Sequence, residues 1–291
     1  MSALALRMNR FLKERRLKWY DIPLWAFGMF IALIWFAPFL WMVITSFKPL
    51  SEIMTTDVEW VPRNFIIQNY VTVFEQPVIR WMINSFIVAV GTTAVAVLLG
   101  ALAGYALARL HFPGRGVVFG LLLASIMIPG EMAIVPLYIA FLKARLTDSY
   151  LAIGLPFIAN VFSVYIFRQF FLTLPKELEE AASIDGASRF GIFIRVALPL
   201  ARSPPWPPPS SCSPPIGMPS SGRFSIIFDE NMKTMPVGMI AFAPVVGSQV
   251  QLVGFGPAMA GVTLLTLPSL LVFLLLQRYF IEGVSRTGLK G

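Results

Sequence analysis

A chain of 291 residues with 57% hydrophobic and only 13% charged side chains cannot clothe itself in polar groups; a soluble domain carries about 25% charged residues, so lipid must be its solvent over most of its surface. The net charge of +8 would point to nucleic acid in a soluble protein, but here the basic residues stand at the ends of apolar stretches, where they orient a membrane protein. One cysteine, Cys212, excludes an internal disulfide and a thiolate metal cluster, and the single His111 excludes a histidine metal site; neither metal nor cofactor is expected.

Residues 1–21 form a basic tail, with Arg7, Arg10, Lys13, Arg15, Arg16 and Lys18 against Glu14. The excess of positive charge assigns this tail to the cytoplasm. The run that follows is free of charge from Ile22 to Phe47, far longer than the roughly 7–15 residues of a cleaved signal core. It reads as a first spanning helix. Lys48–Arg80 sets Lys48, Arg63 and Arg80 against Glu52, Asp57, Glu59 and Glu75, a balance that fits the outside. The second helix is Trp81–Ala108, and Arg109 and Arg115 return the chain to the inside. A third begins near Val117, breaks at Pro129-Gly130 and resumes as Met132–Leu142. A fourth is Ser149–Phe167 and the last is Gly256–Gln277. Lys143 and Arg145 fall outside, against the rule. Arg168, Lys176, Arg189, Arg195 and Arg202 fall inside. Arg278, Arg286 and Lys290 join them only if the chain crosses twice between Arg202 and Arg278.

One of those crossings must occupy Arg202–Phe224, yet this stretch holds Pro204, Pro205, Pro207, Pro208, Pro209, Pro214, Pro215 and Pro219. A single interior proline costs a helix about 3 kcal/mol, and open backbone cannot face lipid. Read in a shifted frame, codons for Pro215–Arg223 allow D-W-N-A-F-F-W-P-L, preceded by small and aliphatic residues. The plain reading of the stretch is a proline-rich loop; the preferred reading is two compensating frameshifts, near Arg202 and near Phe224, which would restore a fifth membrane helix, and on that reading Cys212 is not native. Resequencing the gene tests this. The expected architecture is an all-α membrane protein of six helices. Its parts are a cytoplasmic tail (1–21), a first helix with an external loop (22–80), a transmembrane domain (81–281) and a cytoplasmic C-terminal tail (282–291).

The segment Leu174–Leu200 is too polar to enter a bilayer. Pro175 suits a first helical turn, Glu177, Glu179 and Glu180 favour the positive end of a helix dipole, and Ala181 and Ala182 offer a small-residue face. Gly186 suits a left-handed stop. A second short helix through Ile192–Val196 is expected to end before Pro199. Such a hairpin suits insertion into another protein's groove, and equally could only join two membrane helices.

The pattern Glu180-Ala181-Ala182, three residues, Gly186, nine residues, Val196-Ala197-Leu198-Pro199 resembles the EAA loop of ATP-binding-cassette importer permeases, with Val196 where the family has isoleucine. Other pieces resemble the carbohydrate, maltose-type branch: Asn84-Ser85, Ala103-Gly104-Tyr105-Ala106-Leu107-Ala108-Arg109, Pro136-Leu137-Tyr138, Arg168-Gln169-Phe170-Phe171, Ile184-Asp185-Gly186-Ala187, Lys233-Thr234-Met235-Pro236-Val237-Gly238 and Leu276-Gln277-Arg278-Tyr279-Phe280. The resemblance runs from about Ile22 to Gly291 and lapses at Arg202–Phe224, where the family shows a helix with a Trp-Asn and Trp-Pro-Leu signature. It implies a six-helix type-1 importer permease with a cytoplasmic coupling helix in a bacterial inner membrane. Glu180, Ala181, Ala182, Asp185, Gly186 and Ala187 would meet an ATPase subunit. Glu180 would pair with a basic residue there, the alanines would pack closely and Gly186 would permit the turn. The implied partners are a second, similar permease, two ATPase subunits and an extracytoplasmic solute-binding protein, and the implied cargo is a di- or oligosaccharide or a glycerol-3-phosphate-like solute.

Asn84, Asn160 and Ser163 are candidates for a polar substrate path, though such residues also serve interhelical hydrogen bonds. Glu131 is an ionisable group beside the Pro129-Gly130 break and is a functional candidate by position, or is solvated near the outer surface. Gly100 and Gly104 make a small-xxx-small packing pair, and His111 reads as a solvated turn residue. No P-loop is present and no paired acids or Ser-His arrangement falls in a plausible cleft, so the chain is not expected to be an enzyme. The alternatives are a self-sufficient secondary transporter or channel, which would want internal repeats and charged spans, or a non-functional product if the proline segment is translated.

Overall fold

The computed structural model describes residues 21–55, 59–201, 226–242 and 254–287. Most of the basic N-terminal tail and the whole of the proline-rich segment Arg202–Phe224, with Cys212, lie outside these residues. The regular secondary structure of the described residues is all helical, with no strand among them, and these residues divide into two compact units at Tyr70/Val71 and Thr263/Leu264.

The first unit carries α1 (Asp21–Ser46) and α2 (Leu50–Ile53). At 1.5 Å per residue α1 is about 39 Å long, enough to cross a hydrocarbon core of about 30 Å. It is apolar on every side, and none of its most hydrophobic stretch is buried; Trp35 is 76% exposed. A helix that is apolar all round and unpacked needs lipid around it. Pro49 forbids continuation, because the residue before a proline is pushed out of the helical region, and α1 stops at Ser46. The chain beyond it is tightly held. The Asn69 amide donates to the Ser46 and Lys48 carbonyls, each at 2.9 Å, and the Ser46 hydroxyl meets the Tyr70 hydroxyl at 2.8 Å. Phe47 stacks on Phe65 at 4.5 Å, and Trp41 meets Trp60 edge-on. The Glu52 carboxylate accepts the Arg63 and Asn64 backbone N–H groups and the Asn64 amide. Desolvation raises the Glu52 pKa, but these donors and the Lys48 charge outweigh it and hold the carboxyl below its ordinary value.

The second unit is built on α4 (Val78–Arg109), which follows α3 (Gln68–Phe74). After α4 come α5 (Arg115–Ile126), a 3-10 turn at Gly130–Ala133, and α6 (Ile134–Lys143), so the break at Pro129-Gly130 stands where the sequence places it. The expected fourth helix is two: α7 (Tyr150–Ile158) and α8 (Val161–Thr173), bent by 42°. Pro156 removes one donor from the end of α7. Asn160 then caps α8, its side-chain oxygen accepting the Ser163 N–H at 2.8 Å. Ser149 caps α7 in the same way through Ala152.

Close approach of α4 to this bent pair depends on glycine. A Cβ on Gly100 would lie 2.7 Å from the Ser163 Cβ, and one on Gly104 would lie 2.7 Å from the Phe167 Cβ and 2.8 Å from the Arg168 nitrogen. The Gly100/Gly104 pair is thus a helix-packing seam. The last helix, numbered α13 after the short elements given below, spans Phe255–Thr287 and continues past Gln277 into the expected tail. Among the described residues, three helices are long and apolar enough to cross a membrane, a fourth if α7 and α8 make one span, with α5 and α6 as shorter apolar helices.

Candidate functional site

The hairpin 174–200 is assembled from local capping chemistry. Pro175 precedes α9 (Lys176–Ile184), which carries Glu177 and Glu179 in its first turn. Gly186 has φ +81°, the left-handed region that L side chains avoid. The Ala187 N–H donates to the Ala182 carbonyl at 3.0 Å and the Gly186 N–H to the Ser183 carbonyl at 3.1 Å. These are the paired bonds of a Schellman stop. Two residues later the Ser188 hydroxyl accepts the Gly191 N–H at 3.1 Å, capping the next helix. One cap closes the outgoing limb, another opens the return, and the turn between them has little freedom.

The return limb does not end before Pro199. It runs from α10 (Arg189–Ile192) through a π turn at Phe193–Ala197 into α11 (Leu198–Leu200). In an unbroken α-helix the Pro199 ring would strike the Arg195 carbonyl. The wide turn, closed by the Leu198 N–H on the Phe193 carbonyl, shifts the ladder just before the proline and lets the helix pass. Single π turns of this kind concentrate at functional sites.

The outer part of the hairpin is open. Glu180, Ala181, Asp185 and Gly186 are exposed, and Ala182 and Ala187 are half-buried. Ile184, on the same helical face as Glu180 by its spacing of four, is 86% exposed, and Phe190 is 63% exposed. The six residues read from the sequence therefore lie together in one accessible turn, with a large apolar side chain among them.

The root of the hairpin is closed, by contacts the sequence reading did not foresee. The Arg109 side chain, 7% exposed, places Nε 3.0 Å from Oε1 of Glu179, an ionic contact without the alignment of a hydrogen bond. It also donates to the Leu174 carbonyl. The Tyr105 hydroxyl reaches the second Glu179 oxygen at 3.5 Å. The Tyr105 ring stands edge-on to Phe171 at 5.4 Å and lies 5.2 Å from Phe193 of the π turn. Phe167, Phe171, Phe193 and Ala197 share one buried cluster with Ala101, Tyr105 and Ala108. Arg109 read from the sequence as a vote on orientation; its signal was a basic residue ending a charge-poor helix.

Two of the three candidate path residues are fully buried and Asn160 is half-buried. Asn84 is fully buried. Its amide donates to the Asn231 and Lys233 carbonyls at 2.7 and 2.8 Å and accepts the Tyr150 hydroxyl at 2.8 Å. Ser163 is fully buried against Gly100, and the Asn160 oxygen serves the α8 cap. His111 is exposed, as expected. The Glu131 side chain lies outside the described residues. No group of three or more metal-ligating side chains occurs among the described residues.

Residues 96–205 match the family model of the binding-protein-dependent transport system inner membrane component. The chain is 34% identical over 287 residues to the probable ABC transporter permease protein YurM of Bacillus subtilis (strain 168), covering 96% of this chain and 92% of that one. It is 32% identical over 272 residues to the arabinooligosaccharides transport system permease protein AraQ of Halalkalibacterium halodurans, covering 90% and 94%. It is 31% identical over 280 residues to the trehalose/maltose transport system permease protein MalG of Thermococcus litoralis, covering 91% and 95%. Among solved structures it is similar in fold to a chain of a bacterial ABC transporter involved in the import of the acidic polysaccharide alginate. That match has a TM-score of 0.72 at 18% identity and covers 91% of this chain and 99% of the other.

Proposed function

Because this chain belongs to the ABC transporter permeases of the binding-protein-dependent transport system inner membrane component family, we propose that it is the pore-forming subunit of a sugar importer, moved through the hairpin 174–200 by a separate ATPase. The relatives reported above are permeases of ABC systems, two of them named for oligosaccharide or disaccharide transport, which favours this reading over a self-sufficient secondary transporter or channel. The cargo we assign is a di- or oligosaccharide. The complete importer adds a second, similar permease, two ATPase subunits and an extracytoplasmic binding protein, with the N-terminus of this chain and the hairpin on the cytoplasmic side.

The observation that carries the coupling role is the exposed, doubly capped turn itself. Glu180, Ala181, Asp185 and Gly186 are exposed, Ala182 and Ala187 are half-buried beside them, and Ile184 is almost fully exposed. A large apolar side chain held open on a rigid turn is the expected appearance of a helix meant for another protein's groove. ATP-driven closure of the ATPase pair would then shift the hairpin as a rigid body. Glu180→Lys and Gly186→Pro should abolish ATP-dependent sugar uptake while the amount of chain in the membrane is unchanged. Normal uptake in both variants would refute the coupling role.

A further inference from the structure

We infer that Arg109 is a positioning residue for transport: it locks the hairpin to the end of α4, so that α4 carries the hairpin's displacement along its length to the segment 226–238. The inference rests on the importer reading above and adds the route by which the drive travels.

At the Arg109 end, one helix terminus grips both limbs of the hairpin. The outgoing limb is held at Leu174 and Glu179 by Arg109, with Tyr105 at the far carboxylate oxygen. The return limb is held at Phe193 by the Tyr105 ring. At the other end, the same helix grips a second segment by four polar contacts. The Trp81 indole donates to the Glu230 carbonyl at 2.8 Å, the Asn84 amide to the Asn231 and Lys233 carbonyls, and the Ser85 hydroxyl accepts the Met235 N–H at 2.8 Å. That segment comprises a 3-10 turn at Glu230–Met232 and α12 (Met235–Gly238). Gly238 lies flat against the Trp81 ring, where a Cβ would fall 2.2 Å from a ring carbon.

Between these grips runs a rod of about 42 Å at 1.5 Å per residue. It contains no proline, whereas α1, α7 and α13 contain Pro38, Pro156 and Pro268. Sharp kinks in helices arise almost always at proline, at Gly/Ser pairs or at π-bulges; α4 has neither a proline nor a π turn and its Gly100/Gly104 pair is clamped against α8, so α4 is built to transmit displacement. The Gly100/Gly104 seam holds α8 to it at closest approach, which keeps the hairpin's incoming helix in the same rigid body.

The test uses the whole importer in proteoliposomes: this chain, its companion permease, the ATPase subunits and the binding protein. The labelled solutes are maltose, trehalose and arabinotriose, and uptake and ATP hydrolysis are measured together. Arg109→Gln is expected to lower uptake about tenfold while binding-protein-stimulated hydrolysis and subunit assembly are retained, so that more ATP is spent per sugar. Glu179→Gln should act alike, the double variant should be no worse than Arg109→Gln alone, and Arg109→Lys should recover part of the loss. Uptake and hydrolysis falling in parallel, or neither changing, would overturn the lock. Should Arg109→Gln not assemble, spin labels at Lys176→Cys and Asn231→Cys in a Cys212→Ser chain decide the matter. A distance unchanged by ATP supports the strut, and one that shifts by several ångströms overturns it. No ATP-dependent uptake by the unaltered importer for any of the three sugars marks failure of the importer reading instead, and normal uptake by both Glu180→Lys and Gly186→Pro marks failure of the coupling role.

Discussion

Asn84 shows how a polar residue inside a membrane helix is satisfied. Both of its N–H bonds and its oxygen are used, and all three partners come from other segments. Asn84→Ala would leave the Asn231 and Lys233 carbonyls without their donor. An abandoned buried polar group costs about 1–3 kcal/mol. The variant should therefore lower the melting temperature in detergent and speed proteolysis within 226–238, whereas Asn84→Gln should do less harm. Residue roles were legible where they are local. Gly186 was read as a left-handed stop from its place after a short polar helix, and its φ of +81° agrees. Asn160 was not read as a cap, although an Asn three residues before Ser163 and four after Pro156 carries that signal. Arg109 was not legible as the hairpin's anchor, because its partner Glu179 is 70 positions away and only tertiary structure brings them together.

At the scale of elements, the seam between α4 and α8 is the feature on which most else depends. Gly104 abuts the Arg168 backbone nitrogen and the Phe167 Cβ, neither of which can yield as a flexible side chain would. Gly104→Val should force the helices apart at a cost of at least about 1–3 kcal/mol and prevent stable assembly. Gly120→Ala, with nothing within 4 Å of its added carbon, should be silent or slightly stabilising, since alanine is the better helix former. Thermal denaturation of both proteins side by side checks the pair. The apolar runs placed α1, α4, α5, α6 and the start of α13 within a few residues because length and absence of charge decide a membrane span, while α13 continues past the expected Gln277 to Thr287. They missed the division of the fourth span, where hydropathy continues through a break set by capping. They also stopped the return limb at Pro199, since nothing in local propensity foretells a π turn that carries a helix past a proline.

For the molecule as a whole, composition made the class plain: so little charge on so many apolar residues leaves lipid as the only solvent, and the exposed apolar surface of α1 accords with that. The spacing of Glu180, Gly186 and Pro199 singled out the polar hairpin 174–200, and the described residues keep it open at the tip and closed at the root. The central claim is that this tip is where a separate motor protein takes hold. A photoreactive phenylalanine analogue at Ile184, irradiated in membranes of cells producing the whole importer, tests that contact directly. A covalent adduct with an ATP-hydrolysing subunit is expected, its yield altered by ATP with vanadate. Adducts formed only with lipid or with an extracytoplasmic protein would contradict the claim.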